Sequence, residues 1–240
     1  EGPGRLPGPE EIAELAGKLL TDRDLDGLRV VITAGPTQEP VDPVRYITNR
    51  SSGKMGYAIA RAAAARGAAV TLISGPVALA QPAGVGFHQV KTAEEMRKAA
   101  LAHAGQADII IKAAAVSDYR PSEMALQKIK KDDGPFTLKM VKNPDILAEL
   151  GALKKADGFI LVGFAAETES LTANAREKLR KKNLDMIVAN DVSREDSGFD
   201  AETNKVQIIY RDGKVEDLPL MPKESLADQL LDRIMVLRKK

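Results

Sequence analysis

The sequence contains no cysteine. Disulfides, a thiolate nucleophile and any cysteine-ligated zinc site are therefore excluded, and the absence fits a reducing compartment. Histidine is scarce too: His88 and His103 are the only 2, too few for a histidine-built metal site. Aromatic residues make up 4%, which leaves no platform of rings for stacking single-stranded bases. No apolar run approaches the ~20 residues that span a bilayer. The opening residues, Glu1 to Pro9, are polar and rich in Gly and Pro rather than a secretory leader. The chain starts on Glu1, which reads as a fragment or a processed chain. Neither charge sign dominates: Lys+Arg number 35 and Asp+Glu 34, without the basic excess of a dedicated nucleic-acid binder.

What is present is a core. Hydrophobic residues make up 44% of 240, enough for one large domain or two small ones. Residues 1–27 read as a linker or lead-in broken by Gly2, Pro3, Gly4, Pro7, Gly8 and Pro9, with a short amphipathic helix expected over Glu10–Leu20. Residues 28–240 read as one domain. Strands are expected at Arg29–Thr33, Val70–Ile73, Phe87–Val90, Asp108–Ile111, Phe159–Val162 and Met186–Val188, from their β-branched apolar runs. Helices are expected between them: Gly53–Gly67, Thr92–His103 opened by a Thr92/Glu95 capping box, and the basic stretch Ser170–Asn183. This alternation predicts an α/β fold, doubly wound and Rossmann-like, with a mostly parallel sheet and helices on both faces. Asp212-Gly213 between Lys205–Tyr210 and Lys214–Leu218 predicts a C-terminal β-hairpin, followed by a last helix over about Ser225–Leu237. Asp118–Lys142 has little periodicity and reads as a long functional flap or a disordered loop.

In such sheets ligands bind beyond the carboxyl ends of the strands, and four loops there are unusual. Gly35–Gly56, which contains Arg45, is far longer than the ~2–6 residues of an ordinary βα turn. It ends in Ser51-Ser52-Gly53, a small, donor-rich helix start that suits either an anion or a plain capped helix. It is neither a Walker A loop, since Met55 follows Lys54, nor a dinucleotide fingerprint. Lys112-Ala113-Ala114-Ala115 lets a flat ring or a backbone approach closely, with Asp118 as an acceptor; tight packing beside a solvated Asp is the plain alternative. Lys128, Lys130 and Lys131 on the flap could close over a polyphosphate or form a solvated face. Asn143-Pro144-Asp145-Ile146-Leu147 has the form of a helix start, with Asn143 as cap and Pro144 first in the helix. Lys178 and Lys182, four apart, share a helix face that suits a triphosphate or solvent.

Taken in order, several segments resemble the phosphopantothenoylcysteine synthetase family. They are Ile32-Thr-Ala-Gly-Pro-Thr37, Asp42-Pro-Val-Arg-Tyr46, Asn49-Arg-Ser-Ser-Gly-Lys-Met-Gly56, Ala114-Ala-Val-Ser-Asp-Tyr119, Lys128-Ile-Lys-Lys131, Lys139-Met-Val-Lys-Asn-Pro-Asp145, Gly163-Phe-Ala-Ala-Glu-Thr168 and Ala189-Asn-Asp191. The lead-in is similar to the segment that joins a flavin-containing decarboxylase domain to this synthetase in bacterial bifunctional proteins, so no flavin is expected in this chain. The resemblance implies a phosphopantothenate–cysteine ligase of coenzyme A biosynthesis. It would use CTP and Mg²⁺, pass through an acyl-CMP intermediate, act as a homodimer and reside in the cytoplasm. It implies catalytic roles for Asn49 and Lys128, and a CTP pocket of Lys112, Ala113, Ala114, Asp118, Lys128, Pro144, Asp145, Ile146, Leu147, Phe164, Lys178 and Lys182. Arg45, Ser51, Ser52 and Gly53 would form a substrate and phosphate loop; the metal ligands stay unassigned.

Two other readings compete. A short-chain NAD(P) reductase shares the alternating pattern. However, the second strand ends in Ser74-Gly75-Pro76, without an acid for a ribose or an Arg for its phosphate. The only Tyr-x-x-x-Lys, Tyr210 to Lys214, straddles the hairpin turn. A non-enzymatic nucleotide- or RNA-binding module is opposed by the charge balance and the shortage of aromatics.

Overall fold

The computed structural model describes residues 8, 12, 22–131, 134–155, 158–167, 170–191 and 201–238. Apart from Ile12, the helix expected over Glu10–Leu20 lies outside them. The chain enters the fold at Leu25, whose side chain is fully buried and whose N–H donates to the Arg66 carbonyl at 3.0 Å.

In chain order, β1 (Arg29–Ala34) is followed by a short hairpin of β2 (Gln38–Pro40) and β3 (Tyr46–Thr48), then by α1 (Lys54–Ala65). Next come β4 (Ala69–Ser74), β5 (Gly86–Gln89), α2 (Ala93–Ala104) and β6 (Ile109–Lys112). A second pair, β7 (Tyr119–Pro121) with β8 (Met140–Lys142), leads to α3 (Ile146–Leu153), β9 (Ile160–Glu167), α4 (Leu171–Lys181) and β10 (Met186–Asp191). The chain closes with β11 (Thr203–Asn204), β12 (Val206–Tyr210), β13 (Val215–Asp217), β14 (Met221–Pro222) and α5 (Lys223–Arg238).

The main sheet has 8 strands in the order β13-β12-β10-β9-β6-β1-β4-β5. From β10 to β5 all neighbours are parallel; β12 and β13 add an antiparallel edge. The chain winds outward from β1 in one direction through β4 and β5, and in the other through β6, β9 and β10. The fold is therefore doubly wound, with its switch point between β1 and β6. Alternation along the strands shows why both faces must be covered. Val30 and Ile32 of β1 and Ile109 and Ile111 of β6 pack into one layer, with Tyr57 of α1 and Leu230 of α5. Val31 and Ile110 face the other layer, with Met96 of α2, Leu150 of α3 and Leu179 of α4. Each such side chain contributes about 1.5–3 kcal/mol by burial.

The local signals work as the sequence implies. Thr92 and Glu95 form the reciprocal capping box, Gly67 ends α1 at φ +92°, and Gly213 turns the C-terminal hairpin at φ +89°. Three details differ. The long loop after β1 contains the β2–β3 hairpin, and Asp118–Lys142 is framed by the β7–β8 pair rather than irregular throughout. The helix after β8 is capped by Asp145, not Asn143: the Asp145 carboxylate accepts from the Ala148 N–H at 3.1 Å. Asn143 cannot serve as the cap because its amide donates to the Ser117 carbonyl at 2.8 Å and accepts from Arg120 at 2.9 Å.

Candidate active site

Two clefts open at the switch point. The first, of about 500 Å³, is lined by Asn49 to Gly56, by Lys112 to Val116 and Asp118, by Phe164 to Ala166, and by Asn190, Asn204 and Lys223. The second, of about 510 Å³, is lined by Val116 to Tyr119, Lys142 to Ile146, Lys112 and Lys182. Lys112, Val116 and Asp118 belong to both, so the two chambers share one wall.

That wall is an extension of the sheet past the end of β6. The Ala113 N–H donates to the Thr33 carbonyl at 3.1 Å and the Ala115 N–H to the Gly35 carbonyl at 2.9 Å. The Ser117 N–H donates to the Thr37 hydroxyl at 3.1 Å. Three successive alanines held in this way leave the cleft open above them. Asn49 joins the first loop to the wall by donating its amide to the Val116 carbonyl at 3.0 Å.

The floor of the first cleft is the start of α1. Its N-cap, Gly53, sits at φ +77° with no side-chain cap, and the first turn carries no acid. A helix start of this kind presents its positive end to whatever occupies the cleft. Glycine is required twice here. A Cβ on Gly53 would meet Val77 Cγ1 at 2.9 Å in a left-handed backbone, and a Cβ on Gly56 would meet Ala34 Cβ at 2.5 Å. The helix therefore begins directly against the end of β1.

Charge concentrates at the shared wall. The Lys112 ammonium donates to the Ala114 carbonyl at 3.1 Å. Burial, reinforced by Lys182 and Lys178, pushes its pKa down to about 8 against the opposing pull of Asp145 and Asp118. Lys182 pairs with Asp145 at 2.8 Å. Burial raises the Asp145 carboxyl, but the Lys182 and Ala148 hydrogen bonds and the nearby Lys112 outweigh it and hold the group below the usual range.

Asn49, Ser51, Ser52, Gly53, Lys112, Ala113, Ala114, Asp118 and Phe164 of the expected set meet in the first cleft. Pro144, Asp145, Ile146 and Lys182 meet in the second, beside Lys112 and Asp118. Four do not line either. Leu147 is buried in the core, Lys178 is half-buried on α4, and Lys128 is exposed on the flap. Arg45 turns from the clefts to Asp42 and to the Ile129 carbonyl. Among the lining residues that went without a role in the sequence reading are Asn190, Asn204 and Lys223. Asn190 lies in the noted Ala189-Asn-Asp191 motif; Asn204 and Lys223 lie beyond it in sequence and are brought in by β11 and α5. Among the described residues no group of three or more His, Asp or Glu is placed to hold a metal ion.

Fold and clefts together define a doubly wound α/β domain with a pair of clefts at its switch point. The chain belongs to the family described as the DNA/pantothenate metabolism flavoprotein C-terminal domain, whose pattern matches residues 25–237. It is 50% identical over 242 residues to the coenzyme A biosynthesis bifunctional protein CoaBC of Bacillus subtilis (strain 168), covering 99% of this chain and 59% of that protein. Against the CoaBC of Escherichia coli (strain K12) it is 50% identical over 238 residues, covering 98% and 58%. The chain thus spans about three fifths of the length of these relatives. The solved C-terminal domain of a CoaBC matches with a TM-score of 0.77 at 42% identity, over 92% of this chain and 100% of that one. A Cab2 mutant in complex with phosphopantothenate-cysteine shares the fold, with a TM-score of 0.70 at 16% identity over 98% and 95%. The family resemblance read from the ordered motifs is borne out. No helix among the described residues is long and apolar enough to cross a membrane.

Proposed function

We propose that this domain is a CTP-dependent phosphopantothenate–cysteine ligase of coenzyme A biosynthesis. The observation that carries the reading is the pair of clefts meeting on the Lys112–Asp118 wall, one opening on a helix start with no side-chain cap. Such a site suits two anionic ligands that must react where they meet. The name of the relatives, coenzyme A biosynthesis bifunctional protein, and the phosphopantothenate-cysteine bound by the Cab2 mutant support the same chemistry.

The carboxylate oxygen of 4′-phosphopantothenate attacks the α-phosphorus of CTP. The bond to the β-phosphate oxygen breaks, and pyrophosphate leaves with the electron pair. The amine of cysteine then attacks the acyl carbon of the acyl-CMP, loses a proton and expels CMP. Ser51, Ser52 and Gly53 at the α1 start bind phosphate. Lys112 and Lys182 bind and orient the triphosphate across the shared wall, with the charge of Lys178 behind them. Asp118, Pro144, Asp145 and Ile146, with Phe164, hold the nucleoside, and Leu147 backs them from the core. Asn49 donates a hydrogen bond to the acyl oxygen as charge develops on it in the second step. Lys128 on the flap closes over the nucleotide and excludes water. Mg²⁺ neutralises the triphosphate when bound. With Asp145 engaged by Lys182, Asp118 would be the carboxylate left to face it.

The domain acts as a homodimer in the cytoplasm, and in the full-length protein it follows a flavin-containing decarboxylase domain. Val44, Tyr46, Tyr119, Met124, Leu126 and Phe136 are large and exposed on the two hairpin segments, a surface suited to a second copy.

The test is pyrophosphate release by the purified chain with Mg²⁺ and 4′-phosphopantothenate, comparing CTP with ATP, with and without cysteine. CTP-dependent release, with phosphopantothenoylcysteine in the mass spectrum only when cysteine is added, is expected. Release with ATP alone overturns the nucleotide assignment; no release from a folded chain overturns the reading.

A further inference from the structure

The carboxylate of Asp42 is almost fully buried in the turn between β2 and β3, and its two oxygens serve different parts of the chain. Oδ1 accepts from the Val44 and Arg45 N–H groups at 2.8 Å each, which fixes the turn itself. Oδ2 accepts from the Arg45 guanidinium at 3.0 and 2.6 Å, and from the backbone N–H of Ile129 at 3.1 Å. Ile129 lies 87 residues away on the flap, next to Lys128. The Arg45 guanidinium also donates to the Ile129 carbonyl at 2.8 Å. Both backbone polar groups of one flap residue are thus held by one ion pair, and the Ala125 N–H adds a third tie to the Val41 carbonyl at 3.0 Å.

We infer that Asp42, through Oδ2 and Arg45, is a positioning residue for the flap lysine Lys128. This rests on the role given to Lys128 above. An otherwise irregular flap presents its lysines over a wide range of positions; fixing the peptide that follows Lys128 narrows that range before substrate arrives. The hydrogen bond from Arg45 leads the effects that hold the Asp42 carboxyl far below the usual carboxylate range, so the latch stays charged throughout the working pH range. Oδ1 and the Arg45 ion pair account for the turn; the Ile129 N–H on Oδ2 and the Ile129 carbonyl on Arg45 extend that same ion pair to the flap.

Asparagine has one oxygen and can serve one of the two sets of donors, so Asp42→Asn separates turn from latch. Ile129→Pro removes the flap N–H, with a restriction of the backbone at Lys128, and leaves the hairpin intact, which covers the case in which the first variant folds poorly. Two readouts are taken on each: the rate of tryptic cleavage after Lys130 and Lys131, mapped by mass spectrometry (a Lys128–Pro bond resists trypsin), and kcat and KM for CTP-dependent pyrophosphate release. Both variants are expected to be nicked on the order of tenfold faster, from the loss of charge-assisted hydrogen bonds. kcat is expected to fall by a similar factor with KM for 4′-phosphopantothenate little changed. Added to Lys128→Gln, either change is expected to cost nothing further, because it acts through that lysine. Unchanged nicking in both variants overturns the latch. Faster nicking with full kcat, while Lys128→Gln is slow, overturns the positioning role and leaves the flap reading standing. Unchanged kinetics in Lys128→Gln itself removes the reading on which the inference rests.

Discussion

The ammonium of Lys112 donates to the carbonyl of Ala114, two residues further along the same wall, at 3.1 Å. The contact pins a lysine where burial, with Lys182 and Lys178, disfavours its charge, and its pKa falls to about 8. In the folded chain it loses its proton near pH 8; in the unfolded chain it keeps it to about 10.5. Between those values the unfolded state binds more protons, so stability rises with pH across that window. Carrying the charge at neutral pH costs the fold on the order of 3 kcal/mol. Lys112→Met is therefore expected to be about 1–3 kcal/mol more stable at pH 7 and to lack the rise, measured by urea unfolding from pH 7 to 10. CTP affinity is expected to drop toward tenfold per pH unit above about 8 in the native chain only, with proton uptake on binding in calorimetry at pH 8.5. A flat affinity profile contradicts contact between Lys112 and the nucleotide.

Asn49 separates the two half-reactions. Its amide reaches the Val116 carbonyl from an exposed position, so Asn49→Ala is expected to lose about 0.5–1.5 kcal/mol of stability at most. CTP binding and first-step pyrophosphate release should be largely spared, while product formation is blocked. A folded variant that makes phosphopantothenoylcysteine at the normal rate contradicts the acyl-oxygen role.

Gly56 sets how closely α1 approaches β1. The added Cβ of Gly56→Ala would come within 2.5 Å of Ala34 Cβ and 3.3 Å of the Thr33 carbonyl oxygen. Relief requires the helix start to move off the strand. The expected cost is about 1–3 kcal/mol from overpacking, together with weaker nucleotide binding, read by denaturant unfolding and titration on the same sample. Wild-type binding by a destabilised variant shows that the helix start is not the anion floor.

Much of this was legible beforehand because its causes are local. Val30, Val31 and Ile32 declare a strand buried on both faces, Thr92 and Glu95 cap each other, and Asp212-Gly213 dictates its own turn. The clefts were legible in part: Lys112 to Ala114 and Ser51 to Gly53 sit in strand-end loops that any doubly wound sheet sends to the switch point. What escaped depends on long-range partners. The Asn143 side chain is spent on Ser117 and Arg120, so the helix cap passes to Asp145. Arg45, which the family resemblance places in a substrate and phosphate loop, is tied to the flap through the Ile129 carbonyl, 84 residues on. Asn204 and Lys223 reach the first cleft only because the chain returns there after the C-terminal hairpin, a return that no short-range pattern records.

The start of α1 has one further consequence on the function proposed here. Many helices carry a side-chain cap at the amino end, and the N-cap here, Gly53, has no side chain to supply one. A bound phosphate would complete an element of secondary structure that the sequence leaves unfinished. Occupancy then adds to the domain's resistance to unfolding in proportion to the logarithm of ligand concentration. Each cycle of turnover takes that final piece away and restores it, so the lifetime of the protein in the cell would track the supply of the molecules it consumes.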